Sequence, residues 1–436
     1  MQNTGKYRWS ICALLFFATT INYMDRQIIG LLKPVLEMEF NWTEKDYSFI
    51  VMGFTASYAL GLLCFGRLVD KMGSKVGYTL SIVLWSLAAM GHALARNTFG
   101  FFVARASLGV GEAGNFPSAI KAVAEWFPKK ERALATGIFN SGANIGAIVA
   151  PAIIPVIVAR FGWQEAFIFT GAIGFVWLLF WWFLFEIPQK HKSLSEQELQ
   201  HIQQDDDEVE MVVETKKISI KRLLKMPQTW AFAIGKLLTD PVWWFFLFWL
   251  PSYFASSFGL DLKKSGLPLI IIYTAASVGS IAGGYMSSYL IKRGWKVDQA
   301  RKRTMLFIAL CVLPIVTAQF TQQLWVIVGL ISLASAAHQA WSANIFTTVS
   351  DFFPKEAISS VVGIGGMAGA IGGIAFPLLV GSLLDYYKSI GAMNTGYNIL
   401  FVICGLAYLL AWLVLFVVTP RLSSKKEEVQ VLTTSY

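Results

Sequence analysis

This chain has little charge: Asp, Glu, Lys and Arg together make up 14% of its 436 residues. A soluble domain carries about 25% charged residues. Hydrophobic residues make up 55% of the chain, and the mean hydropathy is +0.55. The scarcity of charge therefore argues against a soluble protein and predicts an integral membrane protein.

Cysteine is scarce as well, because the whole chain has 4, and all of them lie within apolar stretches. None stands at metal-ligand spacing from another, which disfavours a zinc site and gives no reason to expect a disulfide framework. The sequence also lacks a Walker A loop and any His–Glu metal motif within an apolar stretch. ATP-driven pumping and an intramembrane enzyme are therefore disfavoured, and we expect neither a cofactor nor a metal.

Long apolar runs are what the chain does have. Twelve of them are long enough to cross a bilayer as helices, each of which needs about 20 residues. Several contain Gly or Pro, which transmembrane helices tolerate. The predicted spans cover roughly 9–31, 48–68, 76–95, 99–122, 132–158, 163–186, 228–257, 266–291, 304–321, 323–350, 358–384 and 397–419.

A polar stretch over 187–227 separates the first six runs from the last six. Its middle is acidic and its end is basic, which is typical of a linker at a membrane surface rather than of a folded domain. We therefore expect an N-terminal six-helix half over 1–186, a cytoplasmic linker over 187–227, a C-terminal six-helix half over 228–420 and a cytoplasmic tail over 421–436.

An internal repeat relates the two halves. EWFPKKERALATGIFNSGANIGAIVAP (125–151) resembles DFFPKEAISSVVGIGGMAGAIGGIAFP (351–377), and a shift of 226 residues places Pro128 on Pro354. Repeats of this kind, in the same orientation, occur in secondary transporters, whose substrates bind near the midplane between the halves. The predicted fold class is an all-α integral membrane protein with 12 transmembrane helices in two pseudo-symmetric six-helix halves.

The basic residues that give the chain its net charge of +9 lie mainly in the loops and at the termini. Roughly 25 of the 36 Lys and Arg residues lie in the N-terminus, the even-numbered loops and the tail, and about 7 lie in the odd-numbered loops. The positive-inside rule then predicts a multi-pass protein of the inner membrane with both termini in the cytoplasm. The basic residues would face anionic lipid headgroups, and no nucleic-acid partner is expected.

Two charged residues, Asp25 and Arg26, stand inside the first apolar run. A charge near the bilayer centre costs about 3 kcal/mol, so such residues usually face a cavity and have a function. The planar guanidinium of Arg26 matches a carboxylate with two hydrogen bonds, which predicts a ligand for an anion. Asp25, buried beside it, is a candidate for uptake and release of a proton. The alternative is a static ion pair that only fixes helix packing.

The loop after the second run carries a family motif. GRLVDKMGSK (66–75) resembles the G-x-L-x-D-R/K-x-G-R/K loop of the major facilitator superfamily. The resemblance implies a loop that stabilises the outward-facing state, with the gating residues Gly66, Asp70, Lys71 and Gly73. Its acid could cap a helix start or pair across the two halves. The second half has Ser288 where an acid is expected, so a matching loop is not predicted there, and a turn that serves only topology is the alternative.

Four further segments resemble the anion:cation symporter branch of that superfamily: INYMDRQ (21–27), RASLGVGEAGNFPSAIKAVAEWFP (105–128), ERALATGIFNSGANIGA (131–147) and GKLLTDPVWWFFLFWLP (235–251). The second and fourth are similar to segments of bacterial hexuronate transporters. The resemblance implies that Glu112 is a second proton-coupling acid and pairs with Arg26 until a proton releases the arginine. It also implies substrate contacts at Tyr23 and Tyr58, although tyrosines in spans often serve packing alone.

Other polar residues within the runs are candidates for the same site. Arg105 and Glu112 are seven residues apart and share one helix face, so Arg105 is either a supporting charge or a packing partner. Lys236 and Asp240 stand one turn apart, so they pair with each other or offer Lys236 to the substrate. Under the 226-residue shift, His338 occupies the place of Glu112, so it is a candidate substrate contact and could join the proton path. The alternative is a lone polar residue that faces the cavity or bonds to a neighbouring helix. The remaining candidate substrate contacts, with helix packing as the alternative, are Asn140, Ser141, Asn144, Trp341 and Asn344.

Together, the resemblance and these residues predict a secondary transporter that imports a sugar acid, such as glucuronate or galacturonate, by proton symport with alternating access. The close alternative is another organic anion, such as an aldonate, glucarate or galactarate. A non-transporting sensor is disfavoured because the linker is short. The expected partners are the substrate anion, protons and the lipid bilayer, and the expected state is a monomer.

Overall fold

The computed structural model describes residues 5–205, 218–259 and 266–419, and these residues form helices joined by short connections. The N-terminal half contains α1 (Tyr7–Phe40), α2 (Glu44–Met72), α3 (Ser74–Gly91), α4 (Thr98–Glu112), α5 (Asn115–Trp126), α6 (Lys129–Phe161) and α7 (Trp163–Leu184). Two short helices follow, α8 (Glu196–Gln203) and α9 (Ile220–Leu223). The C-terminal half contains α10 (Pro227–Phe258), α11 (Gly266–Lys292), α12 (Val297–Val312), α13 (Leu324–Phe352), α14 (Ile358–Ser389) and α15 (Met393–Val418). The predicted tail over 421–436 and the linker residues 206–217 lie outside the described residues.

The helices of the described ranges cross the bundle twelve times, and three of the crossings are not a single α-helix. In the span predicted over 76–95, α3 is followed by the 3-10 helix His92–Leu94. The span predicted over 99–122 is two helices, α4 and α5, which meet at Gly114. Pro117 lies in the first turn of α5, where the N–H that proline lacks has no intrahelical partner. The span predicted over 304–321 begins as α12 and finishes as the 3-10 helix Leu313–Phe320.

Nine helices among the described residues are long and apolar enough to cross a membrane by length and composition alone. The crossings that are not among these nine are α1, the α4–α5 pair and α10. The charged residues that the sequence analysis places in the site all lie on these crossings: Asp25, Arg26, Arg105, Glu112, Lys236 and Asp240. Charge therefore enters the centre of the bundle on these three crossings.

The two halves meet along α2 with α14 and along α6 with α11. Glycine lets the backbones approach closely at both contacts, as small residues do between membrane helices. A Cβ atom added at Gly66 of α2 would lie 2.5 Å from the carbonyl oxygen of Ser359 in α14. A Cβ atom at Gly363 would meet the Leu62 carbonyl in the same way, and one at Gly137 of α6 would meet the backbone of α11. Larger side chains at these positions would push the halves apart.

The bundle is closed at one face and open at the other. Because the number of crossings is even, α1 begins and α15 ends at the same face, which we call the terminal face. Near this face, residues 337–351 of α13 and 357–365 of α14 are all buried. Toward the opposite face, residues 151–153 of α6 are all exposed. Three consecutive helical residues point in different directions, so α6 is uncovered on more than one side there. The halves are packed together at the terminal face and separated at the opposite face.

Candidate functional site

The centre of the site is an ion pair between α1 and α4. Arg26 donates from Nε and Nη2 to one oxygen of Glu112, Oε2, at 2.9 and 2.8 Å. Glu112 is completely buried, and its other oxygen, Oε1, has no hydrogen-bond partner among the described residues. The carboxylate therefore holds the arginine through one oxygen and leaves the other without a donor.

Aromatic rings surround the Arg26 guanidinium on its other sides. Its central carbon, Cζ, lies 4.6 Å from the ring centre of Tyr23, 4.9 Å from that of Tyr58 and 5.0 Å from that of Phe54. Such rings stabilise a cation that has lost part of its hydration shell. The Arg26 side chain is 11% exposed and lines the central cavity. An anion in the cavity thus meets a guanidinium that is held in position before the anion arrives.

Arg105 supports this pair from α4. Its Nη2 donates to the backbone carbonyl of Arg26 at 2.8 Å, and its Cζ lies 4.6 Å from the ring centre of Phe54. Its Nε and Nη1 are buried and have no hydrogen-bond partner in the described part of the chain. Arg105 therefore fixes the backbone of α1 at the position of Arg26.

Asp25 lies on a different side of α1, in the packed interior of the N-terminal half. It is 2% exposed, and within the described ranges neither carboxylate oxygen has a hydrogen-bond partner. Thr170 of α7 lies beside it, and the charges that act on it most are those of Glu112 and Arg105. A buried charge without hydrogen bonds is costly. The gain or loss of one proton at Asp25 therefore changes the free energy of this packing strongly.

A cavity of about 710 Å³, counted with its open side, lies between the two halves. The polar lining residues from the N-terminal half are Tyr23, Arg26, Tyr58 and Asn140. Those from the C-terminal half include Lys236, Asp240, His338, Gln339 and Ser342. Each half thus presents a cation and hydrogen-bonding groups to the same space.

The cation of the C-terminal half is also paired. Lys236 Nζ lies 2.8 Å from Oδ2 of Asp240, one turn along α10. The same ammonium group lies 4.2 Å from the ring centre of Phe346. Like the guanidinium of Arg26, it is held by one carboxylate and by aromatic contact, here with a single ring.

His338 is held in the cavity wall by two neighbours. Its Nδ1 lies 2.6 Å from the hydroxyl oxygen of Tyr408, and its ring stacks on that of Trp243 with 5.1 Å between ring centres. The Tyr408 contact fixes which ring nitrogen faces the protein, so the other side of the imidazole faces the cavity.

Side-chain amides join the halves at the cavity wall. Asn140 Nδ2 of α6 donates to Gln339 Oε1 of α13 at 2.7 Å and to the Ser280 hydroxyl of α11 at 3.1 Å. Gln339 Nε2 donates to Oδ1 of Asn144 at 3.2 Å. Because α6 belongs to one half and α11 and α13 to the other, these bonds must break when the halves separate here.

Gln339 is a lining residue that the sequence analysis does not single out. The available signal is helical spacing: Gln339, Ser342 and Phe346 stand at i, i+3 and i+7 on one face of α13. All three line the cavity. His338 lies near the same face, because it stands one turn before Ser342. The sequence thus contains the signal that places Gln339, Ser342 and Phe346 beside His338.

The structure places four of the predicted substrate contacts outside the cavity lining: Ser141, Asn144, Trp341 and Asn344. Asn144 is buried and accepts a hydrogen bond from Gln339. Ser141 donates to a carbonyl of its own helix at 2.7 Å. Asn344 donates to carbonyls of α11 and α13 at 3.0 and 2.9 Å. Trp341 is 1% exposed and packs edge-on against Tyr408, with 5.6 Å between ring centres. The rotation of α6 and α13 about their axes turns these side chains toward neighbouring helices.

Asp70 closes the terminal face between α2 and α14. Its Oδ1 accepts from the backbone N–H of Ser359 and from Lys121 Nζ, both at 3.2 Å, and its Oδ2 accepts from the backbone N–H of Ser360 at 2.7 Å. The two N–H groups lie in the first turn of α14, where they have no intrahelical acceptor and where a helix favours negative charge. An acid of one half thus caps a helix of the other.

The other residues of the predicted gating loop have local roles. Gly66 lies against the backbone of α14, as described above. Lys71 is exposed. Gly73 joins α2 to α3 with φ of 84°, a conformation that favours glycine.

A second cluster closes the terminal face between α6, α12 and α13. Asp351 of α13 lies 2.8 Å from Nε of Arg301 and 3.6 Å from Nη1 of Arg132. Arg132, from the N-terminal half, also donates to the Ser350 carbonyl at 2.5 Å, and Arg301 donates to the Lys129 carbonyl at 3.1 Å. We call the charged residues of these two clusters the terminal latch: Asp70, Lys121, Arg132, Arg301 and Asp351.

The loop of the second half that lacks an acid uses a hydroxyl group instead. Ser288 of α11 accepts a hydrogen bond from the backbone N–H of Leu134 in α6 at 3.3 Å. The charge on this side of the interface comes from Asp351, which the sequence analysis does not single out.

Twelve crossings in two halves, with a central polar cavity that is closed at one face, are the architecture of a membrane transporter. The chain belongs to the Major Facilitator Superfamily, whose family model matches residues 15–377. It is a multi-pass membrane protein, and the predicted fold class is confirmed.

Individual relatives narrow the comparison. A protein of Escherichia coli (strain K12) named Hexuronate transporter is 32% identical over 421 residues, which cover 96% of this chain and 95% of that protein. A D-galactonate transporter of Escherichia coli O6:H1 (strain CFT073) is 28% identical over 390 residues, 88% of this chain and 90% of that protein. Among solved structures, the proton:xylose symporter XylE has a TM-score of 0.73 with 17% identity, covering 93% of this chain and 94% of that one. This last likeness concerns the fold alone.

Proposed function

We propose that this protein imports a sugar acid across the inner membrane by proton symport, with a hexuronate as its substrate. The observation that carries this proposal is the pairing of Arg26 with Glu112 at the cavity wall. Arg26 lines the cavity and already binds one carboxylate, so it is suited to release Glu112 and bind the carboxylate of a substrate instead. The similarity to a protein named as a hexuronate transporter, over 96% of this chain, supports the class of substrate.

In this proposal a proton on Glu112 starts the cycle. An ionised carboxylate holds a guanidinium by opposite charge as well as by hydrogen bonds, and a proton on the carboxylate removes the attraction between the charges. Protonation of Glu112 therefore weakens its hold on Nε and Nη2 of Arg26. The substrate carboxylate takes these two donors in a bidentate pair. One proton and one anion enter together, so the net charge of the cavity does not change.

Asp25 is the second proton site of the proposal. It lies next to Arg26 in the chain but faces α7, so its charge acts on helix packing rather than on the substrate directly. When Asp25 loses its proton, the uncompensated charge favours a packing in which water reaches α1 and α7. Its protonation state would then bias the equilibrium between the two open states.

The terminal face is cytoplasmic in this proposal. The excess of Lys and Arg in the N-terminus, the even-numbered loops and the tail supports this orientation. The cavity would then take up its substrate from outside, through the separated face. Release into the cell would require the terminal latch and the amide bridge of Gln339 to open.

A second candidate substrate is an aldonate. The relative named as a D-galactonate transporter covers 88% of this chain, and an aldonate has the same carboxylate and a similar set of hydroxyl groups. The site described here would bind it through Arg26 in the same way.

Uptake by the purified protein in proteoliposomes tests these proposals. Under a pH gradient that is acidic outside, we expect accumulation of glucuronate or galacturonate above the equilibrium level and loss of that accumulation with a protonophore. Arg26→Ala should show no uptake, because the anion ligand is gone. Uptake that ignores the gradient would contradict symport, and a preference for an aldonate within a panel of uronates, aldonates and aldarates would contradict the choice of a hexuronate.

A further inference from the structure

The ion pair of α10 has no part in the coupling scheme above, although it lines the same cavity. Lys236 and Asp240 face the cavity from the C-terminal half, whereas Arg26 faces it from the N-terminal half. Tyr23 lines the same cavity as Asp240, and its ring centre lies 4.6 Å from Arg26 Cζ. A ligand whose carboxylate binds Arg26 therefore directs its other end toward this pair.

Asp240 is the member of the pair that a ligand would meet. Its side chain is 20% exposed, whereas that of Lys236 is 7% exposed. The ammonium group of Lys236 is covered by Asp240 at 2.8 Å and by the ring of Phe346 at 4.2 Å. An ionised carboxylate only accepts hydrogen bonds. This end of the cavity thus offers an acceptor to hydroxyl groups and repels a second carboxylate.

The position of Asp240 is fixed by its surroundings. Lys236 holds it from the preceding turn of α10, and Gly369 of α14 lies against it so closely that a Cβ atom there would collide with Oδ2. Because α14 leaves no room behind Asp240, the carboxylate remains directed at the cavity.

We propose that the Lys236–Asp240 pair selects sugar acids with one carboxylate over those with two. The inference rests on the proposed function, because it requires that Arg26 binds the substrate carboxylate. The hydroxyl-bearing end of a monocarboxylate donates to Asp240. A dicarboxylate places its second negative charge against the charge of Asp240, and Lys236 is already occupied.

Two open-chain acids test the selection, because D-galactonate and galactarate differ only in one end group, hydroxymethyl in the first and carboxylate in the second. Each is used to inhibit uptake of labelled galacturonate by the full-length protein in proteoliposomes. For the natural sequence we expect galactonate to inhibit at a concentration at least about tenfold lower than galactarate does. Asp240→Asn removes the repelling charge and frees Lys236, so the ratio should fall to about one or below.

The chain offers a matched control. Asp298 and Lys302 form the same kind of pair one turn apart, at 3.0 Å, on α12 away from the cavity lining. Asp298→Asn should leave the ratio unchanged. Asp240→Glu keeps the charge and should keep the rejection of galactarate. Thermal unfolding in detergent, followed by tryptophan fluorescence, shows whether each variant is folded.

The outcomes separate the two proposals. If the natural protein takes up no sugar acid, the proposed function is wrong. If it takes up galacturonate while folded Asp240→Asn still rejects galactarate as strongly as before, only the selection by this pair is wrong. Should Asp240→Asn not fold, Lys236→Gln decides: it leaves the Asp240 charge unpaired in the cavity, so rejection of galactarate must become stronger, and an unchanged or smaller ratio overturns the inference.

Discussion

At the scale of single residues, Glu112 competes with the proposed substrate for Arg26. Above the pH at which Glu112 ionises, each pH unit should weaken substrate binding by about tenfold, because one proton must be taken up with the anion. Glu112→Gln keeps the shape of the protonated side chain and cannot ionise. We expect its binding of galacturonate, measured by calorimetry between roughly pH 5 and 8, to be independent of pH.

The same variant should lose accumulation under a pH gradient while retaining exchange of galacturonate across the membrane. Glu196→Gln is the control, because Glu196 is an exposed acid on α8. A pH dependence of binding that survives in Glu112→Gln would place the coupled proton on another group.

Asp25 makes a separate prediction, because it contacts neither Arg26 nor the cavity. Asp25→Asn keeps the shape of the side chain and removes its charge, so we expect equilibrium binding of galacturonate to stay within about threefold of the natural protein. Accumulation driven by the pH gradient should be lost, because the second proton site is gone. Normal accumulation in Asp25→Asn would remove this residue from the coupling scheme.

The sequence predicts some of the site and misses the rest for a geometric reason. A charged residue in an apolar run is conspicuous, and the family resemblance supplied the pairing of Arg26 with Glu112. The direction in which an uncharged polar side chain points depends on how its helix is rotated about its own axis. A single sequence does not give this rotation. For this reason the sequence does not single out Gln339, which lines the cavity. It predicts cavity contacts for Ser141 and Asn344, but neither residue lines the cavity.

At the scale of elements, the contact of α2 with α14 controls whether the terminal face can close. A Cβ atom at Gly363 would meet the Leu62 carbonyl, so Gly363→Leu should disfavour the closed terminal face. We expect faster thiol labelling of a cysteine placed by Ser359→Cys, in a background without the natural cysteines, because Ser359 is completely buried in the closed state.

Gly381→Leu provides the control on the same helix, because no atom lies within 4 Å of a Cβ atom added at Gly381. Its labelling rate should equal that of the parent. Equal rates for the Gly363 and Gly381 variants would mean that close packing at Gly363 does not determine closure.

The elements themselves were largely predictable, since twelve apolar runs correspond to twelve crossings. The break between α4 and α5 was not. Gly114 lies between Ala113 and Asn115 within a long, mainly apolar run, and hydropathy does not distinguish a glycine that joins two helices from one that packs inside a helix.

At the scale of the whole molecule, the terminal latch sets the balance between the two open states of the proposed transport cycle. Asp351 is shared by Arg301 of its own half and Arg132 of the other, and all three are buried. Removing one partner from a buried ion pair costs about 3–5 kcal/mol. We therefore expect Asp351→Asn to lower the thermal unfolding temperature in detergent and to increase the distance between spin labels placed across the terminal face.

Asp385→Asn is the matched change, because Asp385 is an exposed acid on α14. It should alter neither quantity. A latch of this kind could not be read from the sequence, since its residues come from positions 132, 301 and 351 and meet only when the two halves are packed.

Asp70 has a consequence for what happens once the terminal face opens. Asp70 and Lys121 both belong to the N-terminal half, and Arg301 and Asp351 both belong to the C-terminal half. Neither ion pair is therefore broken when the halves separate. What opening uncovers is the first turn of α14, without its capping carboxylate, and Arg132, without Asp351. The exit then carries uncompensated positive charge on both walls, and a departing anion must leave an attractive field. In the proposed orientation, release of the substrate anion from this exit, rather than its passage through the centre, would then limit the rate of transport, and anions already inside the cell would occupy the exit and slow the carrier.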